Sequence, residues 1–219
     1  MFQRDYRLDH GPNRAGGGMP SIYQLKPAFQ GLLRPLVQHL ARRGVTANQV
    51  TILAAVLSVT LGIVLALLPA SRIAWLALPV LLFIRMALNA IDGMLAREHD
   101  MKSALGAFLN ELGDVVSDAA LYLPLALLPD VSATLAVLAV IAAVLTEFTG
   151  VVAVQAGAGR RYDGPLGKSD RAFVYGAIGF ALGVGLTPGS WVSVVLALVV
   201  VLSLVTVMNR MRQALQARP

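Results

Sequence analysis

Residues 85–118 read RMALNAIDGMLAREHDMKSALGAFLNELGDVVSD, and they decide the fold because they put charge where the flanking sequence calls for an apolar solvent. Arg85, Asn89 and Asp92 follow one another at i, i+4 and i+7, and Asn110, Asp114 and Asp118 at successive i+4 steps. Each set therefore occupies one stripe of a helix, with Glu111 beside the second. An ionisable side chain inside a membrane span costs about 2.5–3.5 kcal/mol on insertion scales, so such groups face a cavity or one another. Two antiparallel helices joined by a short loop bring these stripes face to face, and their oxygens are then placed to enclose a hard cation. The small residues Gly93, Ala96, Gly106 and Gly113 lie on or beside the same faces and permit close helix approach. A purely structural reading competes for Arg85 and Asp118, since an ion pair within the membrane also serves as glue between helices.

The rest of the chain supplies the apolar context. Of 219 residues 57% are apolar and 14% charged, against about 25% charged in soluble domains. There is no cysteine, which excludes disulfides, zinc–thiolate sites, iron–sulfur clusters and a thiol nucleophile. His10, His39 and His99 lack metal-ligand spacing, so any metal sits on oxygen ligands, which favours magnesium, manganese or calcium. A net charge of +6 points to nucleic acid in a soluble protein; in a membrane protein the placement of the charges governs, and no nucleic-acid partner is expected. Nearly fifty residues with scattered charges precede the first long apolar run, so no cleavable signal peptide is expected.

Along the chain, residues 1–20 are polar and rich in Gly and Pro and read as a flexible tail. Residues 21–44 carry apolar side chains (Leu25, Phe29, Leu32, Leu33, Val37, Leu40) at helical spacing opposite Lys26, Arg34, Arg42 and Arg43, which predicts an amphipathic juxtamembrane helix on an anionic surface. Pro27 and Pro35 are expected to interrupt or kink it. The predicted fold is all-α, with six transmembrane helices near 49–70, 73–96, 104–128, 132–157, 171–187 and 190–209. They fill a catalytic domain over 45–210, followed by a cytoplasmic tail at 211–219. Six spans leave both termini on one side. That side collects nearly all Lys and Arg: those of the N-terminal region, Arg97 and Lys102, Arg160, Arg161, Lys168 and Arg171, and Arg210, Arg212 and Arg218, against Arg72 alone opposite. The positive-inside rule makes it the cytoplasmic face, and the expected location is the inner (cytoplasmic) membrane, with the active site facing the cytoplasm.

The polar residues also form a pattern that can be named: Asn89-x2-Asp92-Gly93-x2-Ala96-Arg97-x8-Gly106-x3-Asn110-x3-Asp114. It closely resembles the signature of the CDP-alcohol phosphotransferase (CDP-alcohol phosphatidyltransferase) family, D-x2-D-G-x2-A-R-x8-G-x3-D-x3-D. Every spacing matches, and asparagine stands at the first and third aspartate positions. Gly44–Thr51 resembles the family's P-N-x2-T start of the first span, with Ala47 in place of proline. Gly167–Arg171 sits where members carry basic residues at the acceptor pocket, and the likeness covers about residues 22–210.

The resemblance implies a phospholipid-synthesising transferase that moves a phosphatidyl group from CDP-diacylglycerol, or a similar CDP-lipid, to an alcohol or polyol-phosphate acceptor with release of CMP. Carried over by position, Asn89, Asp92, Asn110 and Asp114 surround a divalent cation, Mg2+ or Mn2+, with Ca2+ a non-productive occupant. Asp114 is also the general base. Asn48, Thr51, Gly93, Ala96, Arg97 and Gly106 contact the CDP moiety, and Lys168 and Arg171 receive an anionic acceptor. Family members dimerise through their membrane helices, so a homodimer is implied too. The two asparagines leave two carboxylates, Asp92 and Asp114. An amide oxygen ligates a cation but brings no charge, so the site is expected to hold one tight ion or to recruit a second only with the CDP-lipid. Two other functions compete. The asparagines suit a catalytically silent relative that binds CDP-lipid or scaffolds other membrane enzymes, and Arg85, Asp118 and Glu147 inside apolar segments suit a small ion or proton-coupled transporter.

Overall fold

The computed structural model describes residues 22–217, so the expected tail at 1–20 lies outside the described residues. The described chain folds into helices α1 (Ile22–Arg42), α2 (Ala47–Leu67), α3 (Arg72–Glu98), α4 (Ala104–Tyr122), α5 (Ala133–Gln155), α6 (Lys168–Gly183) and α7 (Ser190–Gln216), with a 3-10 turn at Leu123–Leu127. No strand occurs among the described residues.

Local sequence sets the ends of these helices. Thr46 closes a capping box with Gln49 at the start of α2. Ser71, Ser103 and Ser132 each accept a backbone N–H in the first turn of α3, α4 and α5. Pro124, lacking an N–H, ends α4 and turns the chain into the 3-10 segment. The expected interruption of α1 does not occur: the helix runs through Pro27 and Pro35. Each proline removes one backbone bond, while Val37, fully buried, ties the helix into a cluster with Val50, Ile91, Met94 and Leu95 of α2 and α3. Arg34 of α1 also pairs with Glu98 at the end of α3 at 2.9 Å.

Four helices, α2, α3, α5 and α7, are long and apolar enough to cross a membrane. The other two expected spans are coarser matches. α4 carries Glu111, Asp114 and Asp118 within 19 residues, and α6 has only 16 residues, a rise of about 24 Å. α7 continues through Gln216, past the end of the apolar run near residue 209, because Arg210 and Ala214 are buried and not solvated.

α2 packs on α3 and α4, α3 on α6, and α5 on α7. Small residues set the spacing: a Cβ built on Gly62 of α2 lies 2.3 Å from the carbonyl oxygen of Ala120 of α4, and one on Gly183 of α6 lies 2.4 Å from Leu76 of α3. The main core gathers Trp75, Leu78, Leu121, Tyr122, Tyr175 and Leu196. Large apolar side chains such as Phe83, Phe148, Phe173 and Phe180 point outward.

Because the atom opposing Gly62 is backbone, Gly62→Val has to part α2 from α4. The expected loss is about 1–3 kcal/mol, read as a lower unfolding midpoint of detergent-solubilised protein followed by tryptophan fluorescence.

Candidate active site

The stripes on α3 and α4 do face each other. Asn89 Nδ2 donates to Asp114 Oδ1 at 3.3 Å, and Arg85 Nη2 donates to the Asp114 backbone oxygen at 3.1 Å and to Oδ1 at 3.2 Å. Arg85 Nη1 donates to Asp118 Oδ1 at 2.5 Å. One turn further along α3 the Asp92 carboxylate turns toward α2, where Thr51 Oγ1 donates to its Oδ2 at 2.7 Å. Lys168, the first residue of α6, reaches across so that its ammonium pairs with Asp114 Oδ1. Helices α2, α3, α4 and α6 thus meet around two carboxylates, Asp92 and Asp114.

Below this mouth the charges alternate in a continuous chain. Asp118 Oδ2 stands 3.6 Å from Arg171, Arg171 2.8 Å from Glu147 Oε1, and Glu147 3.8 Å from both Arg210 and Arg160. Arg160 closes the chain by pairing with Glu111 of α4. Arg171 Nη1 donates to Thr146 Oγ1 at 2.8 Å, and Arg210 to the Thr146 carbonyl. Arg85, Arg171 and Arg210 are buried, so each guanidinium depends on these partners to offset lost hydration. Arg160 lies in the loop after α5; burial works against its charge, and the hydrogen bond to Glu111 together with the nearby Tyr162, Glu111 and Glu147 raises its pKa above the ordinary value.

Two further features shape the mouth. A Cβ at Gly106 would lie 2.7 Å from Asn48 Oδ1, so α4 begins pressed against the first turn of α2. An apolar groove of about 130 Å³ lies between α2 and α4, lined by Thr51, Ile52, Ala55, Val56, Leu109, Leu112 and Gly113; one of these, Thr51, is the residue that touches Asp92.

With this geometry in view, residues 44–208 match the family model for CDP-alcohol phosphatidyltransferase. The chain belongs to the CDP-alcohol phosphatidyltransferase family. It is 47% identical over 195 residues to the inner membrane protein YnbA of Escherichia coli, covering 89% of this chain and 96% of that one. Among solved structures it resembles the phosphatidylinositol phosphate synthase of Mycobacterium tuberculosis with CDP-DAG bound, at TM-score 0.67 and 21% identity over 82% of this chain and 92% of that chain. It resembles the same synthase in complex with manganese and citrate at TM-score 0.68 and 21% identity, over 84% and 88% of the two chains. This CDP-alcohol phosphatidyltransferase is a transferase and an integral membrane protein.

Family membership displaces the transporter reading and sets each expected site residue in context. Asn89 and Lys168 both meet Asp114 directly, and Asp92 is bonded to Thr51 of α2. Asn110, half-buried, lies one turn before Asp114 on α4. Gly93 lies under the Arg97 guanidinium, whose nitrogens are 3.1 and 3.2 Å from where a Cβ would sit, and Arg97 itself is exposed. Ala96 packs instead on the apolar cluster of Ile91, Met94 and Leu95. Arg171, expected to meet the acceptor, has no exposed surface; it is spent on Thr146, Glu147 and Asp118. Sequence reasoning missed Thr146, Arg160 and Arg210 as partners of the site. The available signal was Glu147, a carboxylate inside an apolar helix that required cations from elsewhere.

Asp118 meets two buried arginines, so Asp118→Asn is expected to cost about 3–5 kcal/mol by stranding them. The Arg85→Met/Asp118→Asn double variant should lose less than the two single changes added together. Denaturant unfolding in detergent measures both.

Proposed function

We propose that this transferase moves the phosphatidyl group of a CDP-lipid, CDP-diacylglycerol or a close analogue, to the hydroxyl of an alcohol or polyol phosphate. The acceptor oxygen bonds to the β-phosphorus, the bond from that phosphorus to the CMP oxygen breaks, and the acceptor proton passes to Asp114. The observation that carries this reading is the convergence of Asp92, Asp114, Asn89 and Lys168 from α3, α4 and α6 near Thr51, which also lines an apolar groove suited to an acyl chain. The mycobacterial synthase, whose fold this chain shares, has been solved with CDP-DAG.

The family implies a divalent ion, and the donor set fits one. Asp92 is 5% exposed, its side-chain partner is a hydroxyl, and no ion pair among the described residues reaches it. A buried carboxylate so placed calls for a cation. Asn89, Asp92, Asn110 and Asp114 are the oxygen donors for Mg2+ or Mn2+, and manganese is present in one structure of the mycobacterial synthase. When bound, the ion supplies positive charge against the charge that develops on the phosphoryl oxygens and on departing CMP. The chain's own groups do the rest. Asp114 is held by Arg85 and Asn89 in one orientation, Arg97 is exposed for charge-assisted bonds to phosphate, and Asn48 and Thr51 with Gly93 and Gly106 flank the nucleotide. Arg171 fixes the start of α6, and with it Lys168, rather than touching the acceptor.

We further read α4 and α6 as crossing the membrane with the four longer helices, because Phe108, Leu112, Val116, Phe173 and Phe180 turn outward from them. α1 then lies on the cytoplasmic surface, both termini face the cytoplasm, the membrane is the inner one, and the active unit is a homodimer. One observation favours the second reading, a silent relative that binds CDP-lipid or scaffolds other enzymes: Asp114 Oδ1 already receives Arg85, Asn89 and Lys168.

Purified protein with labelled CDP-diacylglycerol, Mg2+ or Mn2+ and a panel of alcohols and polyol phosphates separates the two. CMP release with a new lipid product is expected; CDP-lipid binding without CMP release from any acceptor leaves the silent relative. Asp114→Asn is expected to lower CMP release by about 100- to 10,000-fold while CDP-lipid binding, followed by equilibrium dialysis, persists.

A further inference from the structure

We propose that the Lys168 ammonium is a built-in cation of this site, standing at Asp114 in place of a second divalent ion, so that the protein works with one metal ion, held at Asp92. The inference rests on the phosphatidyl-transfer reading and specifies what supplies the positive charge.

Three observations carry it. First, the facing stripes of α3 and α4 offer two carboxylates at the mouth, and the other oxygen-bearing side chains there, Asn89 and Asn110, are uncharged. Lys168 offsets one of these charges, so a single divalent ion at Asp92 already turns the mouth positive, and a second would find no carboxylate left to balance it. Second, the two carboxylates are dressed differently. Asp114 Oδ1 receives Lys168, Arg85 at 3.2 Å and Asn89 at 3.3 Å. A carboxylate oxygen has about two lone-pair sites, so Oδ1 is fully committed to protein donors, and Oδ2 is the oxygen left to face the ion at Asp92 and to take the acceptor proton. Asp92 has no ion pair among the described residues and is the carboxylate left for a metal. Third, Lys168 is not a wandering surface lysine. It opens α6, whose start is fixed by the Gly167 N–H donating to Asp170 Oδ2 at 2.8 Å and, one turn on, by the fully buried Arg171. Its side chain is 31% exposed, which keeps the ammonium at the mouth and able to meet a phosphate oxygen.

A second divalent ion at Asp114 would have to enter beside Lys168 and Arg85, both positive and both in contact with that carboxylate. Arg85 is offset by Asp118; Lys168 pairs with Asp114 alone among the described residues. A lysine ammonium is a compact point charge with three donors, suited to a phosphate oxygen. Placed here, it offsets charge on the transferred phosphoryl group without occupying Asp114 Oδ2, so charge neutralisation and proton removal sit on opposite sides of one carboxylate.

The test counts manganese. Full-length protein in detergent is titrated with Mn2+ and the bound ion is read by electron paramagnetic resonance, with and without CDP-diacylglycerol, while CMP release is measured in parallel. One Mn2+ per chain is expected in both states. Asn89→Asp/Asn110→Asp with Lys168 in place should still bind one, and adding Lys168→Gln should raise the count to two. Lys168→Gln alone should lower CMP release at least tenfold, and Lys168→Arg should restore part of it. Two Mn2+ in the wild type in either state, none in both, or two in the double aspartate variant each overturn the proposal. One Mn2+ with no CMP release from any acceptor overturns the transfer reading and leaves the cation count standing; CMP release with two Mn2+ does the reverse.

Discussion

Arg85 grips two carboxylates of α4 at once, and the rest of the molecule is arranged around that grip. A guanidinium is planar and carries five N–H donors, so it can serve Asp118 on one nitrogen and both the backbone and side-chain oxygens of Asp114 on another. The rotational setting of α4 against α3 is thereby fixed. So is the direction in which Asp114 points. In a segment that water scarcely reaches, leaving either partner alone would be costly, and the alternating run of charges through Arg171, Glu147, Arg160 and Glu111 extends the same requirement to α5, α6 and the loop between them. Apolar packing brings the helices together but says little about their rotation. These ions specify it.

Much of this arrangement is legible in the sequence. The i, i+4 spacing of Arg85, Asn89, Asp114 and Asp118 predicted facing stripes because a helix admits one geometry for such spacing, and an apolar surround leaves charges no other place to turn. The Thr51–Asp92 bond and the approach of Asn48 to Gly106 follow from residues the family pattern had marked. Helix bounds were less legible. Hydropathy follows the apolar run, whereas α7 outlasts its run because Arg210 finds the Thr146 carbonyl and Glu147 inside the bundle. Likewise α1 survives two prolines because Val37 is seated on its neighbours. The role of Arg171 was illegible for a related reason. A basic residue near a helix end reads as a solvated positive charge, and nothing local announces that Glu147, more than twenty positions away, will bury it.

The site itself is economical in negative charge. Two carboxylates at the mouth differ in company: Asp92 has a hydroxyl, while Asp114 has an amide, a guanidinium and an ammonium. The same residue type thus sits in two environments. One carboxylate has a single hydroxyl partner, and the other is oriented and restrained. That difference comes from which helix faces which, and so from the ionic pairing that sets the rotation of α3 and α4.

The groove between α2 and α4 is lined in part by Ile52, Val56 and Leu112, apolar side chains that are also exposed on the outside of the bundle. With α2 and α4 crossing the membrane as proposed, a molecule reaching Thr51 along that groove would travel within the bilayer plane, so its supply would be measured as a fraction of leaflet lipid rather than as a bulk concentration. Detergent or neighbouring lipid tails then act as competitors for the doorway. Membrane thickness and fluidity become variables of encounter, much as viscosity is for a protein that meets its substrate in solution.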